Sequence, residues 1–274
     1  MNQKQDKQAL RVGIAGLGTV GKSIAKAIDT GIDGLELAAV SVRDASTAGA
    51  WLAELRHTPR IVSFDEMPLH ADVVIECAPS QLLPKIAEPM LRAGKTLVPL
   101  SVGALLDHME LVEIARENGG QISVPTGALL GLDAVTAAAK GRIHFARMVT
   151  RKPVTGLLGA PFLEENNIRI DDIKTPMRIF SGTPRDAAKG FPANLNVSVA
   201  LSLAGIGPDD TQLEIWADPA LTRNTHTIEI DSDSARFTMT IENIPSSNPK
   251  TGLITALSVI ALLEKMRAPL RVGT

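Results

Sequence analysis

Residues Arg11–Gly21 read RVGIAGLGTVG, and that stretch decides how the front of the chain folds. Arg11–Leu17 (RVGIAGL) is a short apolar run suited to a buried strand. Gly16, Gly18 and Gly21 then fall in the register GxGxxG, and Lys22–Asp29 (KSIAKAID) places Ile24, Ala25 and Ile28 on one helical face. Strand, glycine turn and helix in this order are the context in which a GxGxxG binds a dinucleotide. The first glycine permits the tight turn, the second lets the main chain approach the pyrophosphate, and the third lets helix and strand pack closely. The helix start at Thr19, Val20 and Gly21 offers free N–H groups and a partial positive charge to phosphate. Glycines serving only as a turn would have no reason to keep this register.

Outward from the loop, strands and helices alternate. Leu35–Val42 (LELAAVSV), Asp72–Cys77 (DVVIEC), Thr96–Pro99 and Gln121–Val124 (QISV) read as further strands. Trp51–Leu55, Leu82–Ala93 and Leu105–Asn118 read as helices, the last ending at Gly119 and Gly120 as a C-cap. The apolar runs lack period-2 alternation, which points to strands covered on both faces in a parallel, doubly wound sheet. In such a domain the residue closing the second strand, roughly 20 positions beyond the loop, addresses the ribose. An acid there suits the hydroxyls of NAD, and an arginine suits the extra phosphate of NADP. Arg43-Asp44 offers both, so NAD or NADP remains open; both residues also read as solvated loop charges. Ala78, in Glu76–Ser80 (ECAPS) at a strand's C-terminal end, joins the cofactor candidates, and Cys77 beside it reads as packing.

The second half has a different pattern. Ile143–Thr150, Met177–Ser181, Gln212–Ala217, Thr225–Asp231 (THTIEID) and Ala235–Glu242 read as strands, several alternating apolar and polar residues. That fits a mixed or antiparallel sheet with one open face. Asn194–Ala204 and Thr251–Arg267 read as helices. The expected organisation is a dinucleotide-binding domain over 1–126 and a second domain over 127–248. The apolar C-terminal helix, 249–274, is expected to pack back on the first domain and to need cover on more than one side.

Bulk composition narrows the function. The chain has 274 residues and a net charge of −2, with no basic stripe of the kind nucleic acid requires. Its one cysteine excludes an intramolecular disulfide, and no HxH, HExxH or CxxC spacing marks a metal site. Met1–Leu10 is polar and lacks the apolar core of a signal peptide, and no run reaches the ~18 apolar residues of a membrane span. A soluble, cytoplasmic protein is the expectation.

Among five histidines, His57, His70 and His108 read as surface residues, whereas His144 and His226 begin strands. Alternation puts His226 on one face with Ile228 and Ile230, a pattern that serves a core histidine as well as a catalytic one. Lys152 and Lys189 are candidates for holding carboxylates, and each also reads as a solvated lysine. Asn194 and Asn196 do not share a helix face, so one is expected to cap the helix and the other to reach the cofactor. Asn224 and Thr225 are candidates to orient the His226 ring.

The strings VGIAGLGTVG, ECAPS, LSVGALLD (Leu100–Asp107) and PTGALLGLDA (Pro125–Ala134) resemble the L-aspartate dehydrogenase family. So do TRKPV (Thr150–Val154), KGFPANLNVSVALSLAG (Lys189–Gly205), NTHTIEI (Asn224–Ile230) and SSNPKTG (Ser246–Gly252). The resemblance covers nearly everything after Leu10, and its C-terminal strings are the more specific. It implies a Rossmann domain, a second α/β domain over 127–248 for substrate binding, catalysis and dimerisation, and a homodimer. It also implies NAD- or NADP-dependent oxidation of L-aspartate to iminoaspartate, which yields oxaloacetate and ammonia or feeds nicotinamide-ring biosynthesis. It gives His226 the catalytic role and makes Ala128 and Asn196 nicotinamide contacts. Cys77, where an alanine would be ordinary, and Arg43 depart from the family pattern. Two other readings stand beside it: a homoserine dehydrogenase or dihydrodipicolinate reductase relative, and a nicotinamide sensor without turnover.

Overall fold

The computed structural model describes residues 9–192, 195–246 and 252–274. These described residues fall into two compact units, one drawn from the stretches up to 125 and 256–272 and the other from 126–255 and 273–274.

In the first unit the order is β1 (Leu10–Ala15), α1 (Thr19–Gly31), β2 (Leu35–Ser41), α2 (Ala45–Leu52), β3 (Arg60–Ile61) and α3 (Met67–His70). There follow β4 (Val73–Glu76), α4 (Leu83–Arg92), β5 (Thr96–Pro99), α5 (Glu110–Asn118) and β6 (Gln121–Ile122). The sheet order is β3-β2-β1-β4-β5-β6 and every pairing is parallel. Strand order reverses between β1 and β4, the place where open α/β sheets bind ligands beyond their C-terminal strand ends. Val12, Ile14, Val40 and Ile75 from the strands meet Ile24, Ala25 and Ile28 of α1 in one buried cluster. Each large aliphatic side chain buried there contributes about 1.5–3 kcal/mol relative to exposure.

The second unit runs α6 (Leu132–Ala138), β7 (Ile143–Lys152), α7 (Pro161–Glu165), β8 (Met177–Gly182), α8 (Pro184–Ala187) and α9 (Asn196–Ala204). It closes with β9 (Gln212–Ala217), β10 (Asn224–Ser232) and β11 (Arg236–Asn243). Its five strands lie in the order β11-β10-β7-β9-β8, with β7 and β9 parallel and the other pairs antiparallel. Residues alternate across this mixed sheet. Ala146, Met148, Leu213, Ile215, Ile228 and Ile230 are buried. The opposite face carries charge pairs such as Arg147–Glu229 at 3.0 Å and the Arg151 guanidinium over the Trp216 ring at 5.1 Å. Phe162, Phe180 and Phe191 form a separate aromatic cluster, with centroids 5.0–5.7 Å apart.

The last helix, α10 (Ile254–Arg267), sends Ala256, Val259 and Leu263 into the buried cluster of the first unit. One stripe suffices for that contact, and Leu257 is left 59% exposed instead of covered. No helix among the described residues is long and apolar enough to cross a membrane.

Several local expectations shift. The helix expected over Leu105–Asn118 is two pieces: a 3-10 turn at Val102–Asp107 and then α5. His108, at φ −137° and ψ 44°, breaks the continuity between them. The helix expected at Trp51–Leu55 starts and ends earlier, because Asp44 caps it at Ala45. Of QISV, Gln121 and Ile122 form β6, and the Ser123 N–H still donates to the Leu97 carbonyl oxygen of β5 at 2.8 Å.

Candidate active site

The first unit presents a cradle built from main chain. Gly16 has φ +99°, a left-handed conformation that favours glycine, and a Cβ there would lie 2.7 Å from the Cys77 carbonyl oxygen. A Cβ on Gly21 would lie 2.1 Å from the Gly16 carbonyl oxygen, so only glycine lets α1 approach the turn. At Gly18 a Cβ would meet nothing within 4 Å, leaving open space beside the backbone. Gly18 caps α1 without any side-chain hydrogen bond, and the first turn, with Thr19 and Val20, holds no acid. Free N–H groups, open space and the positive helix end together fit a pyrophosphate.

Asp44 lies three residues past β2, with its carboxylate engaged as the N-cap of α2. It accepts hydrogen bonds from the Ser46 and Thr47 N–H groups at 2.9 and 3.3 Å and from their hydroxyls at 2.6 and 2.7 Å. Those bonds, the Ser46 hydroxyl foremost, lower its pKa to about 2. Arg43 beside it is exposed.

Ala78 follows the fully buried Glu76, whose carboxylate accepts from the Ala78 N–H at 3.0 Å. The Cys77 side chain packs against the unit's buried cluster, and burial with the charge of Glu76 pushes its thiol well above the usual range. A thiol so placed is packing, as its sequence context implies.

The second unit builds its site from side chains. The buried face of the mixed sheet is apolar along most of its extent and polar at one end. His226 is 3% exposed and lies directly opposite Thr150 across β10 and β7. The Thr150 hydroxyl is 3.2 Å from His226 Nδ1. Burial, and then the positive charge of Lys152, lowers the imidazole pKa to about 3, so the ring is neutral at ordinary pH. Lys152 is 5% exposed, two residues from Thr150 on the same face, and Asn224 is 8% exposed, two residues from His226. Asn243 pairs with Asn224 in register and donates from Nδ2 to the Ala128 carbonyl oxygen at 2.9 Å.

The fold therefore gathers Lys152, His226 and Asn224, and it ties Ala128 to the same sheet through Asn243. Thr225 points to the other face, so ring orientation falls to Thr150 instead. Asn196 opens α9, and Lys189 is exposed two residues past α8. Asn194 lies outside the described residues. Thr150, Asn243 and Glu76 went unassigned in the sequence. Register with the histidine strand is the signal that finds Thr150 and Asn243, and it requires the strand pairing to be known.

Comparison with known proteins separates the halves in the same way. Residues 16–125 match a family model described as homoserine dehydrogenase, NAD binding domain. Residues 133–266 match one described as aspartate dehydrogenase, C-terminal, so the second half decides against the homoserine dehydrogenase alternative. The L-aspartate dehydrogenase of Bradyrhizobium diazoefficiens is 60% identical over 274 residues, spanning 100% of this chain and 98% of that protein. L-aspartate dehydrogenase 3 of Bordetella bronchiseptica is 58% identical over 269 residues, spanning 98% and 99%. The crystal structure of aspartate dehydrogenase from Thermotoga maritima shares the fold, with a TM-score of 0.73 at 22% identity over 97% of this chain and 100% of that one. By sequence over its whole length, this chain belongs to the L-aspartate dehydrogenase family.

Proposed function

We propose that the chain oxidises L-aspartate to iminoaspartate, which water converts to oxaloacetate and ammonia, and that it also runs the reverse reductive amination. The observation that carries this reading is a buried, neutral His226 beside buried Lys152 on one sheet face, in a chain 60% identical to a protein named L-aspartate dehydrogenase. The nicotinamide, when bound, supplies the acceptor for the hydride that leaves Cα. Gly16, Gly18, Thr19, Val20 and Gly21 hold the pyrophosphate, and Ala78, Ala128 and Asn196 contact the cofactor.

Lys152 holds a substrate carboxylate, with Lys189 and Asn194 as further carboxylate candidates. His226 takes a proton from the substrate ammonium, which frees the nitrogen lone pair to form the C=N bond as hydride departs. An imidazole held neutral by burial and by Lys152 starts in the form a base requires. A carboxylate bound at Lys152 offsets the lysine charge and raises the proton affinity of the ring when the substrate arrives. With Nδ1 beside Thr150, Nε2 is the nitrogen left for the substrate.

Cofactor choice follows from Arg43 and Asp44. The Asp44 carboxylate is shared with the cap of α2, and Arg43 is exposed beside it, so both NAD and NADP are accepted. A cytoplasmic homodimer supplying iminoaspartate to nicotinamide-ring synthesis belongs to the same proposal. A panel of oxaloacetate and ammonia with NADH or NADPH tests reaction, substrate and cofactor together. Turnover with homoserine or a cyclic imine and none with aspartate would return the assignment to the alternative reductases. Tight cofactor binding without any turnover would mark a sensor.

A further inference from the structure

Glu76 is a buried carboxyl that the chemistry above does not use. It closes β4, one of the two strands at the point where sheet order reverses, and its relative exposure is 0%. A carboxyl in that position demands a reason, because an ionised group taken out of water is costly unless its oxygens are satisfied. Here they are. Oε1 accepts from the Ala78 N–H at 3.0 Å and the Ser101 hydroxyl at 3.1 Å, and Oε2 accepts from the Ser101 N–H at 2.9 Å. Burial pushes its pKa up, while the Ser101 and Ala78 hydrogen bonds favour the ionised form.

The bonded groups lie just past the ends of the sheet. The ladder reaches the Cys77 N–H, which donates to Ala15 O at 2.8 Å, and the Leu100 N–H, which donates to Glu76 O at 3.1 Å. The next donors along each chain, Ala78 N–H and Ser101 N–H, have left the ladder, and the carboxylate collects both. It thereby joins the loops that follow β4 and β5. One of these loops lies against the phosphate turn: a Cβ on Gly16 would be 2.7 Å from Cys77 O and 3.0 Å from Ala78 N.

From this chain of contacts we infer that Glu76 is a positioning residue for the dinucleotide site, fixing the Ala78 loop at the spacing the bound cofactor needs. The inference rests on the reading of Ala78 as a cofactor contact. It assigns a function to the first residue of ECAPS.

The test compares Glu76→Gln, Glu76→Asp and Ala78→Val with the unaltered enzyme. It reads NADH and NADPH dissociation constants by fluorescence and full steady-state kinetics with L-aspartate. Glutamine places an amide N–H against a main-chain N–H. Glu76→Gln is therefore expected to weaken cofactor binding about tenfold and raise cofactor KM in parallel. The kcat at saturating cofactor and the KM for L-aspartate stay near the unaltered values. Glu76→Asp keeps the charge but draws it back by one methylene, and falls between. A merely structural carboxyl would lower kcat by reducing the folded fraction and leave cofactor KM unchanged. That pattern, or unchanged cofactor binding in Glu76→Gln while Ala78→Val weakens it, overturns the inference. Unchanged binding in Ala78→Val overturns the reading of Ala78 and removes the inference with it.

Discussion

The phosphate turn of the first unit and the polar end of the sheet in the second unit handle charge by opposite means. The turn at Gly16–Gly21 works by leaving side chains out: its donors are main-chain N–H groups, and Gly16 and Gly21 exist because a Cβ would collide with backbone. The polar end of the mixed sheet works by putting side chains in. Thr150, Lys152, Asn224, His226 and Asn243 replace the apolar residues that cover the rest of that face. A site of the first kind is a property of consecutive residues. A site of the second kind is a property of strand register, because His226 gains its partner only through its pairing with Thr150. Main-chain donors cannot titrate, whereas an imidazole under a lysine's charge can, and the proposed reaction assigns proton transfer to the second unit for that reason.

Removing the imidazole is the strongest way to break this division. His226→Ala is expected to lower kcat by about 10²–10⁴-fold, the usual worth of a general base. Cofactor dissociation constants should stay within about twofold, because the phosphate turn is untouched; a matching loss of cofactor affinity would dissolve the contrast. The same residue leaves a thermodynamic mark. Its pKa is near 6.5 when unfolded and about 3 when folded, so between those values the unfolded chain binds more protons. This contribution to stability is complete above pH 6.5 and is lost as pH falls toward 3, by up to about 1.4 kcal/mol per pH unit. Urea unfolding at pH 7 and pH 5 should show a smaller acid loss in His226→Ala than in the unaltered protein.

Lys152→Met sharpens the electrostatic half of the comparison. Losing a charge-assisted contact of about 1.5–3 kcal/mol should raise KM for L-aspartate roughly 10–100-fold. The positive charge that lowers the imidazole pKa goes with it, so the acid limb of the kcat/KM profile should move to higher pH. An acid limb that stays in place would separate the lysine from the histidine.

In the first unit the comparable intervention is steric. Gly21→Ala drives a methyl to 2.1 Å from the Gly16 carbonyl oxygen, and the backbone must move. Overpacking of this kind costs about 1–3 kcal/mol, read as a lower urea midpoint, and displaces the turn enough to weaken NADH binding. The kcat at saturating cofactor should change little. Gly18→Ala, which meets nothing within 4 Å, is expected to leave stability nearly unchanged while still obstructing the pyrophosphate.

These differences explain what the sequence discloses. Apolar runs and glycine register mark the parallel sheet and its phosphate turn because both are local in the chain. His226 is equally visible as a residue, but THTIEI alone reads as a core histidine, since alternation places it with Ile228 and Ile230 on the buried face. Resemblance to the family gives it a role, and the pairing of β7 with β10 gives it a partner. Asp44 shows the reverse case. Its position marks it for a ribose, yet no spacing rule reveals that Ser46 and Thr47 already occupy its oxygens. Glu76 is hidden for a third reason: an acid ending a strand reads as solvent-facing until the β5 loop is folded over it.

The smallest expected effect probes the partner that sequence misses. His226 has Ile241 on one side of its row and Thr150 on the other, and Ile215 lies beyond Thr150. In that row the Thr150 hydroxyl is the polar group facing the ring, 3.2 Å from Nδ1. Thr150→Val keeps the shape and deletes the hydroxyl, leaving a buried ring nitrogen without its partner at a cost of about 1–3 kcal/mol. The cost falls on ring orientation, so kcat should drop roughly three- to tenfold with both KM values preserved, and Thr150→Ser should restore most of it. If Thr150→Val lost stability and kept full kcat, the hydroxyl would serve only to satisfy a buried imidazole, and substrate alone would have to orient the base.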